Sequence, residues 1–456
     1  MSRKSKKMKF VIIGSGSQFT EFFLQEFFKI EEFKGSSLAL VDRRPKRLKH
    51  EIKIAKLLNE TVGWDVIIEG HTDREEALEG ATFVYAFFAV NQKEAWKKEF
   101  EISNKYDIHP LEAITSGPPS VGMSIRHVPV MLDLCADIER ICPDAWLIME
   151  NNPLSKLVAA VQRHTNVKHV GYCSGHELVQ MALEQLLDMT DRDPSLRQAD
   201  PVEREFMVPA GNIEITLAGI NHCQWALEIR SASTGEDLYP RLRECMEKPE
   251  LIPQGYKYSA LICKKLGLFP SPADNHLADY LWFTNKTVHK AMGMGPYPVD
   301  KWFGNRDANA WEKIAAEIND AESAREFIAR RRTGYLSLEI PRIMISARPS
   351  YFPAMNLVNN GAISNLPPEV IVEVPGIIGS DSVNLMNVGP LPDQIAPYCA
   401  LLGSINNLIA DAAATGSKEK AMQALLLDPY VHSMTIAEKL LDDILDYNSK
   451  YDTRFS

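Results

Sequence analysis

Phe10-Val11-Ile12-Ile13-Gly14-Ser15-Gly16-Ser17 sets a short run of aromatic and β-branched residues directly before a glycine-rich turn. Four apolar residues in a row, with no polar alternation, fit a strand buried on both faces, as in a parallel sheet. From Gln18 to Lys34 the apolar residues Phe19, Phe22, Phe23, Phe27 and Ile30 fall close to helical spacing. Strand, glycine turn and helix together open a dinucleotide-binding unit. Gly14 permits the tight turn. Gly16 lets a pyrophosphate approach the backbone, where a helix N-terminus holds it. The third fingerprint position is Phe19 instead of glycine, and an ordinary βα turn uses the same residues, so the turn alone does not decide. Asp42 closes the second strand, Ser37 to Val41, and supplies a carboxylate suited to both hydroxyls of a ribose. Gly14, Ser15, Gly16, Ser17 and Asp42 are therefore the candidate cofactor-binding residues. Arg43 and Arg44 follow, but an acid at the strand end repels a 2′-phosphate, which favours NAD over NADP.

The same grammar continues outward. Arg43 to Leu58 reads as a helix, Val66 to Glu69, Thr82 to Phe88, Ala145 to Met149 and Val167 to Tyr172 as strands, and a helix begins near His176. Alternating strands and helices predict right-handed βαβ units and a parallel sheet. From Val202 the pattern changes. Ile213 to Ile220 reads as a strand, Trp311 to Arg332 and Asp393 to Ala414 as long helical stretches, and Ile436 to Leu445 as an amphipathic helix. The expected fold is α/β: a Rossmann domain with a doubly wound parallel sheet over residues 1–200, and a mixed α/β domain over 201–456.

Composition excludes several functions. Of 456 residues, 45% are apolar and 24% charged, the mixture of a globular protein with a sizeable core. Fifty basic and sixty acidic side chains leave a net charge of −10, which argues against nucleic acid or an anionic membrane as partner. The longest apolar run, Phe83 to Val90, is too short to span a bilayer. Basic residues from Arg3 to Lys9 lead straight into the first strand, unlike a signal peptide. Seven scattered cysteines, an odd number, make no disulfide framework. These features predict a soluble, cytoplasmic protein with a small-molecule substrate.

Four polar clusters fall where strands of such a sheet end. Asn151-Asn152-Pro153 follows the strand ending at Met149, at the carboxyl edge where ligands bind in this fold. An asparagine there also caps helices. Cys173 ends the strand Val167 to Tyr172, and His222 follows Gly219-Ile220-Asn221 at the end of another. A thiolate and an imidazole brought together can hold a divalent transition metal, although a buried cysteine and a hydrogen-bonded histidine fit the same letters. Asp274-Asn275-His276, after Pro270-Ser271-Pro272, is a place for a general base or for a helix cap.

Taken in order, the glycine turn, Asn152-Pro153, Gly171-Tyr172-Cys173, Gly219-Ile220-Asn221-His222, Asp274-Asn275-His276-Leu277 and the run from Asn356 to Pro375 resemble glycoside hydrolase family four. These are the NAD- and manganese-dependent glycosidases, and the likeness points to an α-glucosidase and α-galacturonidase-like branch. The run includes Asn359-Asn360-Gly361, Asn365-Leu366-Pro367 and Val372-Glu373-Val374-Pro375, close to the family's signature. The resemblance covers nearly the whole chain and implies a lactate and malate dehydrogenase-like Rossmann domain joined to a mixed α/β domain.

It also implies a mechanism, one that departs from two-carboxylate glycosidases. NAD takes hydride from C3 of the sugar, the ketone acidifies the C2 proton, and a base removes it. A Mn2+ or another divalent metal stabilises the enediolate as a Lewis acid. The aglycone leaves by elimination, water adds, and the hydride returns. Carried over, Cys173 and His222 match the metal ligands and Asn152, with Asn151 beside it, the substrate contact. Asp274 matches the C2 base, with Tyr280 in reserve.

Some positions depart from the family. Ser174 follows the metal cysteine where members carry His or Asp, so His176 stands in as the leaving-group acid. The family's Asp-Thr-x-Gly-Pro-Gly-Gly loop is Ile114-Thr115-Ser116-Gly117-Pro118-Pro119-Ser120, without its acid and two glycines. A usual arginine is Met123, while Arg126 remains as a substrate contact, and a Gly-Asp-Arg-His element is Ala273-Asp274-Asn275-His276. The substrate implied is a glycoside, an α-glycoside of a non-phosphorylated hexose or hexuronic acid, and the assembly a homodimer or homotetramer. The alternative is a net NAD-dependent sugar dehydrogenase or epimerase; a third reading is a non-catalytic sensor of NAD or a sugar.

Overall fold

β1 (Lys9–Ile13) lies between β2 (Ser37–Val41) and β4 (Phe83–Ala86), parallel to both. β3 (Ile67–His71) flanks β2, and β5 (Trp146–Met149) and β6 (Lys168–Gly171) extend the sheet beyond β4, again in parallel. The order β3-β2-β1-β4-β5-β6 is that of a dinucleotide-binding sheet, as the strand–helix alternation predicts. The computed structural model describes residues 8–189, 209–300, 309–330 and 336–455. The expected domain boundary near residue 200, the basic residues Arg3 to Lys7, and the end of the helical stretch at Arg332 lie outside these residues.

Successive residues of β1 feed opposite faces, which is why its sequence shows no polar alternation. Phe10 and Ile12 join one core with Phe23, Phe27, Phe33 and Tyr85. There the Phe10 ring lies 5.2 Å from Phe27, edge to face, and 4.8 Å from Phe33. Val11 and Ile13 enter the other core, against Val128 and Met131 of helix Pro119–Ile141 and Leu157 and Val161 of helix Leu154–His164. Each such buried side chain stabilises the fold by about 1.5–3 kcal/mol.

The sheet does not stop at β6. β10 (Ser350–Val358) pairs antiparallel with it through Asn356 and Gly171, and β11 (Ile371–Ile378), β7 (Ile213–Ile220), β8 (Cys223–Ser231) and β9 (Phe269–Ser271) follow. β12 (Val383–Leu385) pairs with β11. The result is one twelve-stranded sheet, parallel in its first half and antiparallel in its second.

The long helix expected from Trp311 is two, Ala310–Glu317 and Ala321–Ala329. Asp320 breaks it by accepting from the Ser323 N–H at 2.8 Å in a capping box. Among the described residues no helix is long and apolar enough to cross a membrane.

Candidate active site

The glycine turn has the form the sequence implies. Gly14 adopts φ +82°, and a Cβ there would lie 2.7 Å from the Phe88 backbone. Its N–H and that of Ser15 both donate to the Val41 carbonyl, at 2.9 and 3.0 Å, locking the turn onto β2. Gly16 donates to Asp42 Oδ2 at 2.9 Å, and a side chain at Gly16 would collide with that carboxylate. Ser17 caps helix Gln18–Phe27. Two contacts were not foreseen. Arg47 Nη1 and Trp311 Nε1 both donate to the Gly16 carbonyl, at 2.9 and 3.2 Å. Next to the turn, Asn151 Nδ2 donates to the Phe88 carbonyl at 3.3 Å, and its Oδ1 is buried without a partner. A cradle closed to any side chain, with an orphaned acceptor beside it, fits a dinucleotide.

His222 sits at the tip of the β7–β8 hairpin. Ile220 pairs with Cys223, so Asn221 and His222 form a two-residue turn, and His222 takes φ +64°. A left-handed backbone at a non-glycine residue costs about 1–3 kcal/mol and persists only where surroundings hold it. Here Asn221 Nδ2 donates to Glu373 Oε2 of β11 at 2.7 Å, and the Thr115 hydroxyl lies 3.1 Å from His222 Nδ1. The other ring nitrogen, Nε2, lies 3.4 Å from Cys173 Sγ. Burial, with the Glu373 carboxylate adding to it, pushes the Cys173 thiol up to about 12. Burial, with His276 and Lys156 nearby, holds the His222 imidazole well below its usual value. Both groups are neutral by themselves, and a divalent cation between them favours the thiolate. The pair fits a metal.

Two further donors stand beside it that the sequence reading did not assign to the metal. His276 lies with its ring 4.5 Å from that of His222, and its Nε2 is 2.8 Å from Glu112 Oε2. Glu112 precedes by two residues the place where the loop lacks the family's acid, the one trace of it in the sequence.

The two candidate bases differ in surroundings. Asp274 is buried, and its carboxylate accepts from the N–H groups of Tyr258 and Ser259, at 2.9 and 2.8 Å, and from the Ser259 hydroxyl at 2.8 Å. It closes the first turn of helix Lys257–Leu266. Tyr280 donates to the Thr115 carbonyl at 3.1 Å, and buried Lys156 donates to the same oxygen at 2.6 Å. Tyr280 thus touches the loop that borders His222, whereas Asp274 is engaged in scaffolding.

Two other candidate residues are buried as well. Arg126 faces inward: its Nη1 donates to Glu99 at 2.5 Å and Asn448 at 2.8 Å, with only 1% of the side chain exposed, so it has no free face for substrate. His176 is buried, and burial pushes its imidazole down to about 4. Asn152 is half-buried, following Asn151 at the carboxyl end of β5.

Residues 9–189 match the family model for the Family 4 glycosyl hydrolase, and residues 217–431 match that for the Family 4 glycosyl hydrolase C-terminal domain. The chain belongs to family 4 of the glycosyl hydrolases. It is 28% identical over 442 residues to the alpha-galactosidase of Bacillus subtilis (strain 168), covering 96% of this chain and 95% of that one. It is also 28% identical over 464 residues to the alpha-glucosidase of Erwinia rhapontici, covering 95% and 96%. Among solved structures, a 6-phospho-alpha-glucosidase from gut microorganisms in complex with NAD and Mn2+ superposes with a TM-score of 0.77, at 20% identity, over 98% of this chain and 99% of that one. The 6-phospho-beta glucosidase from Thermotoga maritima, with manganese, NAD+ and glucose-6-phosphate, gives 0.74 at 18% identity over 97% and 99%.

In this glycosyl hydrolase the signature stretch from Asn356 to Pro375 acts through structure. Asn359 Nδ2 donates to the carbonyls of Ile363, Leu366 and Pro367, at 3.0, 3.1 and 3.1 Å, folding the loop between β10 and β11. Glu373, pushed up to about 7 by burial, anchors the hairpin that carries His222.

Proposed function

We propose that this family 4 enzyme is an NAD- and Mn2+-dependent glycosidase that cleaves an α-glycoside of a non-phosphorylated hexose or hexuronic acid. The observation that carries the cofactor-dependent reading is the Cys173–His222 pair, 3.4 Å apart, in the same sheet as the Gly14–Ser17 turn. Gly14 to Ser17 and Asp42 hold the dinucleotide, Cys173 and His222 hold the metal, and Asn151 and Asn152 meet the sugar. When bound, NAD would supply a hydride acceptor and donor for the sugar, and the metal, held by Cys173 and His222, would supply a Lewis acid. Tyr280 removes the C2 proton. Its hydroxyl and the Lys156 amine both donate to the Thr115 carbonyl, and burial pushes the phenol up and the amine down to about 7.

Two relatives, named alpha-galactosidase and alpha-glucosidase, support an α-linked, non-phosphorylated substrate. So does the state of two cationic side chains in this region. Lys156 donates to Thr115 and Asn406, and Arg126 Nη1 to Glu99 and Asn448, so both side chains are engaged within the protein.

A panel of chromogenic α- and β-glycosides, plain and 6-phosphorylated, with and without Mn2+ and NAD, tests the reading. The expected result is aglycone release from a plain α-glycoside that needs both additives, at constant absorbance of the nicotinamide band. Stoichiometric NADH would instead mark a net sugar dehydrogenase.

A further inference from the structure

We infer that Glu112 and His276 are protein ligands of the same divalent ion, so that this enzyme encloses its metal with four side chains and holds it without sugar. The inference rests on the reading of Cys173 and His222 as metal ligands and adds two donors to it.

Among the described residues, Glu112, His222 and His276 form a group whose ligand atoms all lie within 4.8 Å of one another. Donors bonded at about 2.0–2.3 Å to one ion stand no more than about 4.6 Å apart across it, and closer when adjacent. The group therefore needs only small side-chain movements to close on a cation. Cys173 Sγ, 3.4 Å from His222 Nε2, has the separation of two neighbouring ligands. One histidine is thus common to both pairs.

The chemistry favours the larger set. A thiolate and an imidazole alone suit softer ions, whereas Mn2+ takes carboxylate oxygen readily. Glu112 provides that oxygen. Its charge, with that of a Cys173 thiolate, balances the two positive charges of the ion, so the buried centre is neutral when filled.

Both donors are positioned by one residue. The Asp279 carboxylate accepts from the N–H groups of Leu111, Glu112 and Ala113, at 2.7, 2.8 and 2.9 Å. Asp279 directly follows helix Asp274–Ala278, which carries His276. The Trp96 indole donates to the Glu112 carbonyl from the other side, and Ala113 is held at φ +62°. A left-handed alanine beside a buried acid, fixed by three bonds to one carboxylate, is backbone strain kept for placement. Glu112 is 7% exposed and His276 26%, so the imidazole stands at the mouth of the site and the acid inside it.

Mn2+ binding to chelator-stripped enzyme without sugar, followed by the electron paramagnetic resonance signal of free Mn2+, tests this. Glu112→Gln and His276→Gln should each weaken Mn2+ by about tenfold or more, and Glu112→Asp should recover part of the loss. Co2+ absorption in the ligand-field region should change in both variants, a readout that a merely structural role would leave alone. Circular dichroism and melting confirm folding, and Glu112→Asp stands in if Glu112→Gln does not fold. If Glu112→Gln and His276→Gln bind Mn2+ as the wild type does while Cys173→Ser loses it, the inference is overturned and the two-ligand centre stands. If those two variants lose Mn2+ while Cys173→Ser keeps it, Glu112 and His276 are ligands and Cys173 is not.

Discussion

His222 Nε2 stands 3.4 Å from Cys173 Sγ, although the two residues are 49 apart in sequence and arrive from a hairpin tip and a parallel strand. Both are neutral in isolation because burial opposes charge on each. A chelator should therefore abolish glycosidase activity, and added Mn2+ should restore it. Cys173→Ala should not be restored at the same Mn2+ concentration, because losing one ligand costs at least as much metal affinity as losing an outer-shell partner, about tenfold or more. Full activity of Cys173→Ala after chelation would remove the pair from the mechanism.

Asp42 holds the Gly16 N–H at 2.9 Å and that of Arg44 at 2.8 Å, so it shapes the glycine turn. Asp42→Ala should weaken NAD by about 1–3 kcal/mol, the worth of hydrogen bonds to a charged acceptor. Calorimetric titration measures this, and an unchanged dissociation constant would show that the ribose lies elsewhere.

Tyr280→Phe should keep NAD and metal binding yet lose about 100-fold in turnover, the scale of a positioned base. Substrate deuterated at C2 should exchange its label with solvent in the wild type but not in this variant. Asp274→Asn should behave differently. It loses acceptor strength for the Tyr258 and Ser259 N–H groups, and so should cost about 1–3 kcal/mol of stability in a denaturant titration. Exchange that survives in Tyr280→Phe and stops in Asp274→Asn reverses the assignment.

Asp411 supports the helical layer and gives the enzyme an acid-sensitive contact. It accepts two bonds from Arg163 at 2.8 Å, one from Lys420 at 2.6 Å and one from His164 at 3.0 Å. Against the upward push of burial, these partners hold its carboxyl well below the usual range. A group with a depressed native value contributes stability above its unfolded value, about 3.9, and loses it as pH falls further. Asp411→Asn should lower the melting temperature at neutral pH and do so progressively less as the pH is taken from about 4 down to about 2. Equal destabilisation at neutral pH and at about pH 2 would refute this.

Most of the parallel half was legible because β1, β2, β4 and β5 are dominated by apolar runs, with Gly14, Asp42 and Glu150 directly after β1, β2 and β5, whereas β3 carries Glu69 and His71 and β6 carries Lys168 and His169. In the antiparallel half β7 was legible at its full length, Ile213–Ile220, but β10 and β11 were not. β10 contains Pro353 at a register shift between Phe352 and Met355, and β11 contains Pro375 and Gly376, residues that argue against central strands. Asn356 and Glu373 are buried at the centre of these strands, so hydrophobic period gives no signal there. Helix Pro119–Ile141 is obscured in the same way by Pro129.

The candidate site residues Gly14, Asp42, Asn151 and Cys173 were legible because each stands at or just after a strand end. His222 was marked by its place after Gly219, but not the hairpin that delivers it. Glu112 left only a faint trace, because its contacts with His276 and Asp279 are made only in the folded chain. Arg126 misled for a physical reason: the sequence shows a basic residue near the loop, and only the structure shows Glu99 waiting for it.

The pairing of Gly171 with Asn356 also bears on how the molecule is made. During synthesis the chain emerges from its N-terminus, and the six parallel strands are complete long before β10 leaves the ribosome. Until then β6 presents an open edge, the kind of surface that recruits other nascent chains. Cys173 lies just beyond that edge, so the metal centre is among the last parts to close. A fragment ending after β6 should therefore be a poor stand-alone dinucleotide binder and a sticky one, and production of this enzyme should depend more on chaperones and slow translation than its ordinary composition suggests.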